Sequence, residues 1–394
     1  MATFAELREL LDCRSLGAVY EEYGRLGAPN PFFKSYVDDA VIEASAEAMA
    51  ILDDGGSAQD IPVMSTAGGG SVERFDTDSV EWIYLSQVKT AAPLNKRGAS
   101  ARVLQPTGTQ SRKITMCHVF NEMRLGMDSL RALREPDNWT LQRLGRTEVT
   151  KQIKDFATKH AVMKQVFLSK AFTDGVVYVD DDGNILESSS GAELTIDLGV
   201  SSTHKSQINP GGGAIIATAW DNAAAKILTQ LENLKVQAEI ENADPPRHIW
   251  LNGLNRKWLR DNTELKALYA GITPLNQLLS GDSFELGGFV WHFYSGTYTD
   301  SSGTTQYYVP VDQAIITPDL GPWFMNAIGV EAVPTSIDIA GSADEALNSL
   351  TEVYGDFAYA KLEHNPPRVS TFFGTNFIYG FRNPNSIWMP TVDF

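Results

Sequence analysis

Ser79-Val-Glu-Trp-Ile-Tyr-Leu-Ser-Gln-Val88 and Arg112-Lys-Ile-Thr-Met-Cys-His-Val-Phe120 are the stretches whose reading decides the fold. Both are rich in β-branched and aromatic residues, and each reads as a strand. About twenty residues separate them. These carry Lys89, Lys96, Arg97 and Arg102, with no acid between Val88 and Arg112. So long a connection is unusual inside a compact domain and points to function or to contact with a partner. Two strands of roughly ten residues reach about 33 Å at 3.3 Å per residue. An isolated hairpin is marginal in water. The ribbon therefore needs a surface to lie on, either its own domain or another molecule.

On its C-terminal side the spacing predicts a long helix. Val149, Ile153, Phe156, His160, Met163 and Phe167 form a one-sided stripe with steps of three and four. Thr147 is placed to cap it and Gly175 to end it. Its polar residues include Lys151, Lys154, Lys159, Lys164 and Lys170 against Glu148 and Asp155. That local excess of base reads either as a solvated face or as one near nucleic acid or an acidic neighbour. His160, inside the stripe, reads as a packed core histidine.

Further along, Val176-Val-Tyr-Val179 and Leu194-Thr-Ile-Asp-Leu198 predict a hairpin. A second helix is expected on Trp220, Ala224, Ile227, Leu231, Leu234 and Ala238. Thr218 and Asp221 would cap it and Pro245-Pro246 would stop it. A strand at His248–Leu251 leads into a third helix through about Tyr269. Phe289–Tyr298 and Gln306–Val309 flank Asp300-Ser-Ser-Gly303, another hairpin. Ala314–Thr317, a segment at Ser336–Ala340 and a β-rich end over 357–394 complete the pattern. Helices with antiparallel hairpins and no βαβα alternation mean α+β. On the N-terminal side, residues 1–60 alternate short helices (Ala2–Leu11, Val41–Leu52) with Pro and Gly breaks, which reads as an arm.

Composition narrows the class. The chain has 394 residues, 43 % hydrophobic and 21 % charged, a globular balance enough for two or three compact units. No apolar run approaches a membrane span of about 18 residues. The N-terminal residues lack the pattern of a signal peptide. Asp and Glu total 49 against 32 Lys and Arg, a net charge of −17. Such a surface repels phosphate backbones and anionic lipids, which argues against a free-standing nucleic-acid reader. It permits a protein that encloses nucleic acid.

Catalytic signatures are missing from the sequence. No two of the six histidines stand at i, i+4, and there is no CxxC, nucleophile elbow or P-loop. Cys13 and Cys117 read as small buried side chains. Cys117 and His118 are neighbours, so in a strand they point to opposite faces. Asp180-Asp-Asp-Gly-Asn184 has Ile185 and Gly191 where a calcium loop needs glycine and glutamate, and so reads as a hairpin turn. Gly211-Gly-Gly213 fails the dinucleotide spacing and reads as a flexible lead-in. No catalytic, cofactor or metal residue is nominated, and a stand-alone enzyme would need an unrecognised acid pair such as Asp312 and Glu331.

The order of arm, basic-tipped ribbon, long helix, hairpin and Trp-started helix resembles the lambda-type major capsid protein E family of tailed phages. Matching stretches are "LSKAFTDG", "VVYVDDDGNILE" and "LTIDLG" between Leu168 and Gly199, and "TAWDNAAAKILTQL" from Thr218. Others are "HIWLNGLNRKWLRDNTELKAL" from His248, "GFVWHFYSGTYTDSSGTTQYYVPVDQAIITP" from Gly288 and "NPNSIWMPTVDF" from Asn383. The resemblance covers roughly residues 75–394.

It implies the Hong Kong 97 phage-type capsid fold. The N-terminal arm would be 1–75 and the extended E-loop ribbon 76–122. The peripheral domain would be 123–213 with 334–394, including a spine helix at 147–173, and the axial domain 214–333. The ribbon would cross a neighbouring subunit, with Lys89, Lys96, Arg97 and Arg102 at its tip. Lys151, Lys154, Lys159 and Lys164 would present a basic face inward or toward a neighbour.

The function implied is a major capsid protein, not an enzyme. It would self-assemble through pentamers and hexamers into the icosahedral head around double-stranded DNA, held by enclosure. Implied partners are a separate scaffolding protein, a portal and a decoration protein, with no membrane and no cofactor. Assembly would take place in the host cytoplasm and the product would be the virion. An encapsulin-like compartment holding enzyme cargo is the alternative.

Overall fold

The computed structural model describes residues 72–75, 79–85, 109–125, 139–208, 214–241, 243–269, 283–319, 323–334, 350–364 and 367–393. The arm, Gly211–Gly213, the segment at Ser336–Ala340 and the ribbon tip with Lys89, Lys96, Arg97 and Arg102 lie outside the described residues.

The two strands that opened the sequence reading do pair. Ser79–Leu85 runs antiparallel to Thr109–Thr115, with Val80 opposite Ile114 and Leu85 opposite Thr109. The second stretch serves two sheets, however. It breaks at Met116, and Cys117–Leu125 pairs instead with Pro367–Phe381. The break lies at a crowded crossing, where a Cβ on Gly329 would come within 2.7 Å of the Met116 Sδ.

Pro367–Phe381 is the axis of a six-stranded sheet. Asp356–His364 flanks it on one side. Phe324–Pro334 meets residues 377–381 along that same edge, and Cys117–Leu125 lies along the opposite edge. Phe324–Pro334 also pairs with Val72–Phe75 in parallel and with Leu350–Tyr354 antiparallel. Gly374 must be glycine here, since a Cβ would lie 2.2 Å from the Phe357 ring.

The long helix, α1, spans Trp139–Thr173, 35 residues. It begins well before the expected start, and Thr147 lies inside it rather than capping it. Leu141, Gln142, Arg143, Leu144 and Arg146 are good helix formers, and one interior glycine costs only about 1 kcal/mol. Its end is as expected. The amides of Asp174 and Gly175 both donate to the Lys170 carbonyl, and Gly175 takes φ +66°. From Phe156 onward, apolar side chains of α1 pack on one face of the sheet. Phe156 stacks on Phe373, while Phe167 meets Phe377 and Phe172 meets Phe381 edge-on, all with centroids 5.3–5.4 Å apart.

After α1, Val176–Val179 and Leu194–Asp197 form the expected hairpin. The Asp180 carboxylate accepts from the Asn184 amide, and Gly183 takes φ +82°, so this acidic stretch is a turn.

A second core surrounds helix α2, Ile227–Glu241. It starts later than the stripe predicts. Trp220 is buried, yet it lies in a turn and Ala224 is exposed. The Asn222 carbonyl and side chain take the amides of Ala225 and Ala224, competing with helix formation. The cap comes from elsewhere in the chain. Glu264 accepts from the Leu228 amide and the Thr229 hydroxyl, both at 2.9 Å. The expected third helix is two, α3 at Arg256–Asp261 and α4 at Thr263–Tyr269, broken at the buried Asn262. Asn262 donates to the Ala225 carbonyl and accepts from the Leu265 amide.

Beneath these helices lies a four-stranded sheet in the order Ser283–Leu286, Phe289–Tyr294, His248–Asn252, Ala314–Thr317. The C-terminal segment joins the two cores. Ile387 and Met389 belong to the first core, and Trp388 and Val392 to the second. Trp388 exchanges backbone hydrogen bonds with Ile316, and the Val392 carbonyl accepts from the Trp220 amide.

Candidate assembly surface

The base of the ribbon is fixed from within. Val80 and Ile114, directly opposite one another, are both buried in the first core, while Glu81, Lys113 and Thr115 are exposed. The ribbon is thus rooted in the same core as α1.

The α1 lysines do not share one face. At about 100° per residue, Lys159 lies about 80° and Lys164 about 220° around the axis from Lys151. Lys151 and Lys159 are exposed. Lys164 reaches the Asp356 carboxylate at 2.5 Å and lies over the Phe377 ring. Burial works against the charge on Asp356, but Lys164 holds its carboxyl below the usual carboxylate range. The side chain of Lys154 lies outside the described residues.

One turn from Lys164, His160 is only 5 % exposed and its Nε2 meets the Asn121 amide nitrogen at 2.8 Å. Burial pushes it down to about 4, so it is neutral at pH 7. It is the packed core histidine of the sequence reading. Burial pushes the Cys117 thiol up to about 12, which keeps it unreactive. His118 points the other way, to Asn376 and Glu331.

The C-terminal end of α1 binds the remaining parts. Lys170 meets Glu187 at 2.5 Å, and the other Glu187 oxygen accepts from the Tyr298 hydroxyl at 2.7 Å. Ser169 donates to the Tyr308 carbonyl at 2.6 Å. A cavity of about 200 Å³ opens here beside Lys170, Glu187 and Gln306. Ligand pockets usually run about 300–1,000 Å³, and the charge of Lys170 is already matched. The structure does not bring Asp312 and Glu331 together. The Asp312 carbonyl accepts from Val392, and the Glu331 carboxylate accepts from Asn376.

A surface the sequence reading missed lies on the sheet face away from α1. Phe120, 46 % exposed, stacks on Phe372 at 5.4 Å, and Phe372 stacks on Tyr359 at 4.9 Å. The three come from three different strands, so no sequence periodicity unites them. The adjacent pair Phe372-Phe373, which divides between the two faces, is the nearest thing to a signal.

The model of the family described as Phage major capsid protein E matches residues 65–332, well over half of the chain. The chain belongs to that family. It is a capsid shell protein, a component of the virion head, and the family is structural rather than an enzyme class. An encapsulin-like compartment is not favoured.

The match begins just before the ribbon and ends within Phe324–Pro334. It therefore includes the paired ribbon strands, α1, helices α2–α4 and the four-stranded sheet of this capsid protein. No curated protein matches the chain. Among solved structures, the chain is similar to the capsid of cyanophage A-1(L), at 10 % identity and TM-score 0.46, covering 82 % of this chain and 90 % of that one. It is also similar to the mature capsid of bacteriophage PhiM1, at 9 % and 0.41, covering 85 % and 94 %. A third is the capsid of cyanophage P-SCSP1u, at 11 % and 0.39, covering 85 % and 91 %. Among the described residues, no helix is long and apolar enough to cross a membrane.

Proposed function

We propose that this capsid protein has the Hong Kong 97 phage-type fold. We further propose that it closes the head of a tailed phage by exchanging its ribbon between subunits of pentamers and hexamers. One observation carries the reading: a ribbon anchored in the core by Val80 and Ile114 leads into a connection whose charges, Lys89, Lys96, Arg97 and Arg102, are all basic. On a chain of charge −17, the nearest complement for that tip is a second copy of the chain.

In this reading residues 1–75 are the arm, α1 is the spine helix, and the six-stranded sheet with α1 is the peripheral domain. The axial domain is the second core. Two boundaries shift from the sequence expectation. Cys117–Leu125 pairs within the six-stranded sheet, which supports ending the ribbon at Met116 rather than 122. Phe324–Pro334 pairs there too, which supports ending the axial domain near 318 rather than 333. Double-stranded DNA is held by enclosure. A separate scaffold, a portal and a decoration protein are the expected partners during assembly in the host cytoplasm.

Electron microscopy of the purified protein, alone and with its genomic neighbours, tests the reading. Closed shells are expected, and a discrete small oligomer in both preparations would overturn it. Reversing Lys96 and Arg97 to glutamate should abolish shells while the subunit stays folded. Shells at normal yield would sink the ribbon role.

A further inference from the structure

One ring joins three parts of the chain. His204 closes the turn Ser202–His204, and its side chain is 1 % exposed. Its Nδ1 lies 3.0 Å from the Ile387 carbonyl oxygen. Its Nε2 lies 2.6 Å from the Glu241 carboxylate at the end of α2. The ring rests flat on the Trp388 indole, with centroids 3.7 Å apart and 10° between the planes.

Counting donors decides the state of that ring. A carbonyl oxygen and an ionised carboxylate have no proton to give, so each must receive one from the nitrogen facing it. A neutral imidazole has one N–H and serves only one of them. Both contacts at once need both nitrogens protonated. The carboxyl group does not supply the missing proton. Burial works against its charge, but hydrogen bonds from His204 and Gln237 hold Glu241 below the usual carboxylate range. A ring with both protons is a cation, which the face of the indole favours. Charged groups on the adjoining segments are turned to other partners. Lys205 donates to the Asp174 carbonyl, and Asp244 accepts from the Ser386 hydroxyl.

We propose that His204 is a doubly protonated clasp, a pH-sensitive latch that ties the C-terminal segment to the end of α2. A ring that loses one proton keeps Glu241 or Ile387 but not both. The carboxylate is the stronger acceptor, so Ile387 is released. Ile387 and Trp388 belong to different cores, so this proton governs how firmly the segment holds the two together. The latch is closed at neutral pH and opens as pH rises. It goes beyond the shell reading and does not depend on it.

The test uses the purified full-length chain. Nitrogen-15 NMR of the histidine rings, with His204 identified by its through-space contact with the Trp388 ring, should show both nitrogens protonated at pH 7. A bare nitrogen at pH 7 would overturn the clasp. Hydrogen exchange then reads the latch. The amides of Trp388, Thr391 and Val392 bond to Ile316, Ser206 and Asp312. Corrected for the intrinsic rate, their opening should rise between pH 7 and pH 10, by up to about tenfold per pH unit, as the loss of one proton allows. Glu241→Gln separates the proton from the packing. The new amide donates to Nε2, so a neutral ring bonds both partners, and the dependence on pH should vanish. Opening independent of pH in the unaltered chain, or the same slope in both chains, would overturn the latch. Should the variant not fold, the unaltered chain decides alone. Opening in step with the loss of the ring proton supports the latch, and opening out of step with it refutes it.

Discussion

His160 and His292 both titrate near 4 in the folded chain, His160 because burial beside Asn121 and Lys164 disfavours its charge, His292 because burial and the neighbouring His248 do. In the unfolded chain a histidine titrates near 6.5. The unfolded state therefore binds protons first as pH falls. Stability from these residues is fully present above about 6.5 and is lost between about 6.5 and 4. His160→Gln keeps an acceptor for Asn121 and removes one such proton. The unfolding free energy of the dissociated subunit, from urea titrations between pH 7 and pH 4.5, should fall less steeply in this variant, by up to about 1.4 kcal/mol per pH unit. An unchanged slope would mean that His160 takes up its proton as readily in the fold as in the unfolded chain. His160 was legible as a core histidine from its stripe alone. Its partner Asn121 was not, because they meet only once Cys117–Leu125 has joined the large sheet.

At the scale of elements, what the chain reveals depends on how local the cause is. Gly175 closes α1 through its own φ of +66°, and that could be read directly. The start of α2 could not, because its cap is Glu264, thirty-six residues away. A clean stripe from Trp220 onward pointed to a longer helix, yet Asn222 gives the backbone a competing turn and Trp220 is held by Val392 instead. Glu264→Ala should therefore cost about 0.5–2 kcal/mol, as the loss of a capping side chain does. Amide exchange at Leu228 and Thr229 should quicken, with the rest of α2 little changed. If exchange quickened evenly along the helix, Glu264 would act on its packing rather than on its end. The same locality explains the ribbon. Its strands and its basic connection were plain in the sequence, whereas the switch of partner at Met116 depends on a strand far along the chain, Pro367–Phe381.

At the scale of the molecule, the two cores share one short segment near the C-terminus. Ile387 and Met389 face the first core, Trp388 and Val392 the second, and alternation along an extended chain is what allows it. Trp388 also stacks on His204 at 3.7 Å, and His204 meets the Glu241 carboxylate at the end of α2. That placement was hidden in the sequence, where "NPNSIWMPTVDF" gives no sign that its neighbours are Ile316, Lys205 and Trp220. A subunit built on two cores gains from such a shared segment, since loosening either core disturbs residues that pack in the other. Trp388→Ala should cost about 3–5 kcal/mol, the usual penalty for truncating a buried tryptophan. Because the segment spans both cores, heating the dissociated variant should still give one cooperative transition, shifted down by several degrees. Two transitions, with amides of 214–317 exchanging first, would show instead that the cores hold separately and that the segment only rests between them.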